Sequence, residues 1–313
     1  MDTMLNGALA ECHPEELRRE YDRMVRAAGA RGRFIRTSSA RTHVIEAGDG
    51  PAIVHLHGNN TSSLSHLMLL EHMTGVHSFL VDRPGLGLSD PADLPRRRFR
   101  ESAVRFVDDV LDELGLESAV LAGASGGGTW ALWYALAHPE RVAGLAMLGS
   151  VPVLPGVRIP LAIRLLATPV LGTLLSRAVT PNRRMLLHLM SSVGEGDTIL
   201  RHPDLLSSLV TAARDPIAVA ANVADFQAVL SPFGRRSATR IQPADLRGLA
   251  VRTLMIWGDH DPVVRVADAR KVAELIPNAH LAVLPAGHVP QLGNSERVAA
   301  LLEDFTRSAA SRQ

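Results

Sequence analysis

The stretch LAGASGGGTW, Leu121 to Trp130, sets one hydroxyl, Ser125, among glycines where two apolar segments meet. Upstream, SAVLAGAS reads as a buried strand; downstream, GGTWALWYALAHP reads as a helix. Gly123-Ala124-Ser125-Gly126-Gly127 fits G-x-S-x-G in the strand-to-helix context that this pattern requires. A turn that sharp forces its middle residue into strained backbone. Side chains on either side would collide, so glycines flank it. The hydroxyl is lifted to a helix N-terminus, where N–H groups and the helix dipole favour a developing negative charge. The motif alone leaves open a packing turn with an incidental serine. A dinucleotide-binding loop is disfavoured, because G-x-G-x-x-G does not occur in the chain.

Working outward, apolar strands and amphipathic helices alternate. RFIRTS and RTHVIEAG pattern as paired strands, AIVHLHG and HSFLVDRPG as buried ones. SSLSHLMLLEHMTG reads as a helix ending at Gly75, and FRESAVRFVDDVLDELG as a strongly periodic helix stopped by Gly115. VAGLAMLGS, VRTLMIWGD and AHLAVLPAG are further strands, with helices around 267–276 and 295–308. Such alternation predicts a mostly parallel sheet covered on both faces. Residues 152–244 break it: they are helical, punctuated by proline and inserted between two strands. The expected organisation is an N-terminal helical extension (1–30), a first part of the core (31–151), a helical cap (152–244) and a second part of the core (245–313). Ligands of open α/β sheets bind at the C-terminal edge of the strands, where this cap would sit.

Bulk properties exclude several classes of function. The chain has 313 residues, 46% hydrophobic and 21% charged, with a net charge of +1, so no global field recruits nucleic acid or an anionic membrane. Cys12 is the only cysteine, which excludes an internal disulfide and a cysteine-rich metal site and fits a reducing, cytoplasmic setting. Lys271, the only lysine, falls in an expected surface helix. The first 20 residues lack the basic and apolar regions of a signal peptide. The most apolar run, 151–179, carries four prolines and three arginines and reads as amphipathic helices rather than a membrane span. The oligomeric state is not legible.

A serine hydroxyl needs a base, and the base needs an orienting carboxylate. LMIWGDHDPVV ends a strand with Asp259, His260 and Asp261, and LAVLPAGHVPQLG ends the last strand with His288. Both lie on the edge that carries Ser125. His55 with His57, and Asp259 with Asp261, could sketch a metal site, but no further ligand cluster completes it, and no metal or cofactor is expected.

HLHGNN, DRPGLGLSD, GASGG, WGDHDPVV and AGHVPQ, spread over residues 50–295, together resemble the α/β-hydrolase superfamily, in its capped, esterase-like branch. The resemblance implies an eight-stranded, mostly parallel sheet with Ser125 as nucleophile, His288 as general base and Asp261 as its orienter. Spacing after Trp-Gly in that family selects Asp261 over Asp259. An acid after the preceding strand is closed off, because 142–192 contains no Asp or Glu. By the same match the backbone N–H groups of Asn59 and Gly126 form the oxyanion hole. Asn59-Asn60 departs from the usual loop, and these side chains either contact substrate or merely suit a turn. Asp82, Arg83 and Asp90 read as loop-stabilising residues.

Serine at 125 argues against haloalkane dehalogenase and epoxide hydrolase chemistry, which use Asp. Acyl transfer remains, with a carboxylic ester or lactone of a small apolar molecule as the favoured substrate. Thioester, amide and C–C bond hydrolysis, a tailoring enzyme on the same triad, and a non-catalytic ligand-binding member of the fold are the alternatives. Arg141, Arg158, Arg164, Arg177, Arg183 and Arg184, with no acid among 142–192, suggest either a positive pocket rim or solvated helix faces.

Overall fold

Strand β5 (Ala119–Ala124) is buried at all six positions. It lies mid-sheet, between β3 (Ala52–Leu56) and β6 (Val142–Leu148). The computed structural model describes residues 13–149, 151–157, 164–165, 167–168, 172, 180–231 and 234–311; Cys12, Arg158 and Arg177 lie outside them. With β1 (Arg31–Arg36), β2 (Arg41–Ala47), β4 (His77–Val81), β7 (Thr253–Gly258) and β8 (Ala279–Leu284), the sheet has eight strands in the order β1-β2-β4-β3-β5-β6-β7-β8. Strand β2 pairs antiparallel with both neighbours, and the remaining pairs are parallel. The mixed, mostly parallel sheet is the one expected. Its central strands β5 and β6 are apolar throughout because helices cover both faces.

On one face α2 (Phe99–Glu113) and α3 (Gly126–Ala137) bury Phe99, Phe106, Trp130 and Trp133 in the largest apolar cluster. Ala269 and Val272 of α8 (Val266–Leu275) join it. On the other face α9 (Ser295–Ala310) sets Val298, Ala299 and Leu302 against Ile53, Val120, Leu148 and Ile256. The segment read as one helix ending at Gly75 is instead a 3₁₀ turn, Ser63–His66, and a single α-turn, Leu67–Leu70. Three-residue bonds from the amides of His72 and Met73 to Leu69 and Leu70 tighten the chain there and end the helix early.

Between β6 and β7 is an inserted helical region with α4 (Arg183–Ser192), α5 (Gly196–Leu200), α6 (Pro203–Arg214) and α7 (Pro216–Val229). Proline at the first position starts α6 and α7, and the Asp215 side chain caps α7 by accepting from the Ile217 amide at 2.9 Å. The N-terminal helix α1 (Glu15–Ala27) packs on this region. Its Leu17, Tyr21 and Val25 share a cluster with Leu186, Ile199, Leu205, Leu206 and Leu209. Arg23–Asp204 at 3.0 Å and Ser207–Glu20 at 2.6 Å tie the same helices at the rim. Among the described residues no helix is long and apolar enough to cross a membrane.

Candidate active site

The turn after β5 has the strain its glycines announce. Ser125 sits at φ 47°, ψ −112°, and Asn60, at φ 56°, is the other described non-glycine residue with positive φ. A Cβ on Gly123 would stand 2.5 Å from Gly128 Cα, and one on Gly127 would stand 2.1 Å from the Leu56 carbonyl oxygen. The elbow is therefore pressed against its own helix and against the end of β3, where any larger residue would push it off. Ser125 precedes the first residue of α3, so its hydroxyl stands at the helix N-terminus.

His288, just past β8, completes a chain of contacts. Its Nε2 lies 3.1 Å from Ser125 Oγ, and its Nδ1 lies 3.1 Å from Asp261 Oδ2. Asp261 is buried at the end of β7, and its Oδ1 accepts from the amides of Val263 (2.8 Å) and Val264 (3.3 Å). Burial raises its carboxyl, but the hydrogen bond and charge of His288 and the two amides outweigh burial and hold it below the ordinary aspartate value. An ionised Asp261 can only accept, so His288 Nδ1 carries the proton and Nε2 is left to take one from the serine. Asp259 is exposed and turned away. It accepts from the Ala286 amide at 3.2 Å and meets His260 at 2.5 Å.

Asn59 and Gly126 both line the pocket above Ser125, and the Asn59 amide nitrogen is 3.5 Å from where a Cβ on Gly126 would stand. The two amides expected to hold an oxyanion thus border one space. The Asn59 side chain lies along the same space: its Oδ1 is 2.0 Å from where that Cβ would stand, and its Nδ2 donates to Asp225 Oδ2 at 3.0 Å. Asn60 is a turn residue whose amide donates to Asn222 Oδ1 at 2.7 Å.

Arg83 has a larger place than loop stabilisation. It is 1% exposed and lies on the pocket wall, 5.1 Å from the Trp130 ring. Nε and Nη2 donate to the carbonyls of His57 (3.0 Å) and Gly58 (2.9 Å), while Nη1 pairs with Asp225 at 2.5 Å. Burial lifts the Asp225 carboxyl above its usual value, against the pull of Arg83 and Asn59. Sequence reading missed Asp225, although it is the only charge in the apolar helix PIAVAANVADFQAV. Asp82 accepts from Tyr21, from the Ser63 and Leu88 amides and from His43, and Arg41 pairs with Asp90, so both acids hold loops as expected.

The histidines of H-x-H do not gather a metal site. His57 Nε2 accepts the Arg83 amide at 3.0 Å and Nδ1 donates to Gly58 at 2.8 Å. Burial, then Arg83, lowers its pKa to about 3. No group of three metal-ligating side chains occurs among the described residues.

The pocket encloses about 200 Å³. Leu189, Met190, Leu205, Leu209 and Phe226 of the inserted helices form much of its wall, opposite Ser125 and His288. The suggested positive rim does not form from Arg141. That residue sits at the start of β6, the edge away from Ser125, and binds Asp108 and Asp112. Arg183 and Arg184 are exposed.

Comparison with known proteins agrees with this architecture. A family model for the alpha/beta hydrolase fold matches residues 51–174. The chain is 29% identical to a 2-hydroxymuconate semialdehyde hydrolase of Pseudomonas putida, over 89% of this chain and 95% of the relative. It is 28% identical to a 2-hydroxy-6-oxo-6-phenylhexa-2,4-dienoate hydrolase of Burkholderia cepacia, over 86% of this chain and 92% of the relative. Among solved structures, a carboxylesterase from Bacillus subtilis superposes with TM-score 0.71 at 21% identity, covering 93% of this chain and 96% of that one. The 2-hydroxy-6-oxo-6-phenylhexa-2,4-dienoate hydrolase of a Rhodococcus strain superposes with TM-score 0.73 at 23% identity, covering 89% and 99%. With its strand order, its elbow and its inserted helices, this chain has the α/β-hydrolase fold.

Proposed function

We propose that the protein is a serine hydrolase that cleaves a bond to the carbonyl carbon of a small, largely apolar molecule. The observation that carries this is the unbroken chain from Ser125 through His288 to buried Asp261, each step 3.1 Å. Ser125 Oγ adds to the carbonyl as His288 Nε2 takes its proton. The oxyanion is held by the amides of Asn59 and Gly126, at the N-terminus of α3. His288 returns the proton to the leaving fragment. Water, deprotonated by His288, then releases the acyl group from Ser125, and Asp261 steadies the imidazolium in both halves.

For the bond itself, C–C hydrolysis beside a ketone comes first. Curated relatives along nearly the whole chain hydrolyse 2-hydroxymuconate semialdehyde and 2-hydroxy-6-oxo-dienoates. This moves the ester or lactone reading to second place. One observation keeps it there. Arg83, the arginine among the described lining residues, is already neutralised by Asp225, so the pocket suits a neutral acyl group better than a dienoate carboxylate.

Two measurements test these readings. A fluorophosphonate should add once per chain, and Ser125→Ala should abolish the adduct while circular dichroism stays unchanged; labelling that persists refutes the nucleophile. The kcat/KM for a 2-hydroxy-6-oxo-dienoate, set against those for neutral short-chain esters and lactones, decides the bond. Turnover of esters alone removes the C–C reading.

A further inference from the structure

The loop that carries His288 is held by the inserted region. Glu195, between α4 and α5, is 1% exposed. Its Oε1 accepts from the Gly287 amide at 2.8 Å, and the Val289 amide and the Thr198 hydroxyl lie beside the carboxylate and favour its charged form. The amide of His288 itself donates to the Val193 carbonyl at 2.8 Å. The amides of Gly287 and His288 are thus taken by residues 193–195, and that of Val289 faces the same carboxylate. The contact is close and leaves no slack. A Cβ on Gly287 would stand 2.3 Å from the Val193 carbonyl oxygen, and one on Gly293 would stand 2.8 Å from both Glu195 carboxylate oxygens.

A buried carboxylate is costly unless donors surround it, and these donors lie on either side of the residue read as the general base. From this geometry we infer that Glu195 is a positioning residue for His288: one carboxylate of the inserted region clamps the backbone before and after the histidine and so fixes its ring between Ser125 and Asp261. The inference rests on the triad reading above. It makes the inserted region part of the catalytic framework as well as a pocket wall. Glu195 touches neither Ser125 nor the space for substrate, so its effect is on reaction rate at a bound reagent and not on binding.

Fluorophosphonate labelling of Ser125 tests this whatever bond the enzyme cleaves. The maximal labelling rate and the reagent's half-saturation concentration are measured for wild type, Glu195→Gln and Gly293→Ala, with the thermal midpoint of each. Gln keeps the shape but turns an N–H toward a donor; Ala at 293 displaces the carboxylate from the opposite side. Both are expected to lower the maximal rate, by up to about 10²-fold for a displacement near 1 Å. Half-saturation should stay within twofold, and Glu195→Asp should recover part of the rate. If either variant folds and labels at the wild-type maximal rate, or if half-saturation alone changes, Glu195 does not position His288. Failure of wild type to label at Ser125 would instead overturn the triad reading.

Discussion

At the scale of single residues, the site depends on which of two neighbouring aspartates meets His288. Asp259 and Asp261 are two positions apart, yet Asp261 is buried with two backbone amides on one oxygen and His288 on the other, while Asp259 faces solvent. Asp261→Asn should lower kcat by about 10⁴-fold, because an amide there lets His288 settle in the wrong tautomer. Asp259→Asn should change kcat by less than about threefold, since the Asn oxygen can still accept from the Ala286 amide and the His260 contact is exposed and outside the triad. Steady-state kinetics on one substrate for both variants checks the pair; equal losses would show that the two carboxylates act together. Family spacing had already singled out Asp261. The burial that makes the choice physical could not be read from DHD alone.

At the scale of elements, α7 is joined to the sheet through a buried ion pair. Asp225 receives Arg83 at 2.5 Å and Asn59 at 3.0 Å, so helix, strand-end loop and the loop that carries Asn59 meet at one carboxylate. Replacing Arg83 by Met leaves that carboxylate buried and unpaired, which should cost about 3–5 kcal/mol. Arg83→Met with Asp225→Leu should recover most of the loss, because burying two charges is itself expensive. Urea unfolding of the single and double variants measures both. A double variant as unstable as Arg83→Met alone would mean that the arginine acts through its carbonyl bonds to His57 and Gly58 and not through the pair. The motif DRPGLGLSD advertised Arg83, but its partner lies 142 residues away and nothing in the local sequence connects them.

At the scale of the whole molecule, buried histidines set the acid limit of stability. Burial lowers the pKa of His66 to about 4; burial and then Arg83 lower that of His57 to about 3; burial and then His66 push His55 well below 6.5. Each is neutral in the folded state and titrates near 6.5 once unfolded, so the unfolded chain gains protons first as pH falls. Their contribution to stability is complete above pH 6.5 and is lost progressively down to about 4 for His66 and about 3 for His57. His13 acts in the opposite sense. Burial lowers its pKa, but Asp215 and the Ser89 carbonyl outweigh burial and raise it, so its share is complete below 6.5 and fades at higher pH. Among these buried histidines three act against one, with the lowered carboxyls of Asp82 and Asp261 adding to the fall and the raised ones of Asp225 and Glu195 opposing it. Urea midpoints taken from pH 8 to 4.5 should therefore fall below about pH 6.5, and His66→Gln should flatten part of the slope. A midpoint that is level or rises toward pH 4.5 would contradict this balance.

The sequence by itself determined the elements and the edge on which the chemistry sits. Period-2 and period-3.6 apolar patterns are local, and so is the need for glycine around Ser125, where a Cβ at 127 would strike the Leu56 carbonyl. The order of strands then brings Ser125, Asp261 and His288 to one edge, as their strand-end positions foretold. Tertiary structure alone decided the roles of Glu195 and Asp225, the pairing that neutralises Arg83, and the shallow turn at 63–70 where a long helix was expected. These depend on desolvation and on contacts between segments up to 166 residues apart, as between Asn59 and Asp225. A lone acid in an apolar helix has no meaning until the fold supplies the donors that make its burial tolerable.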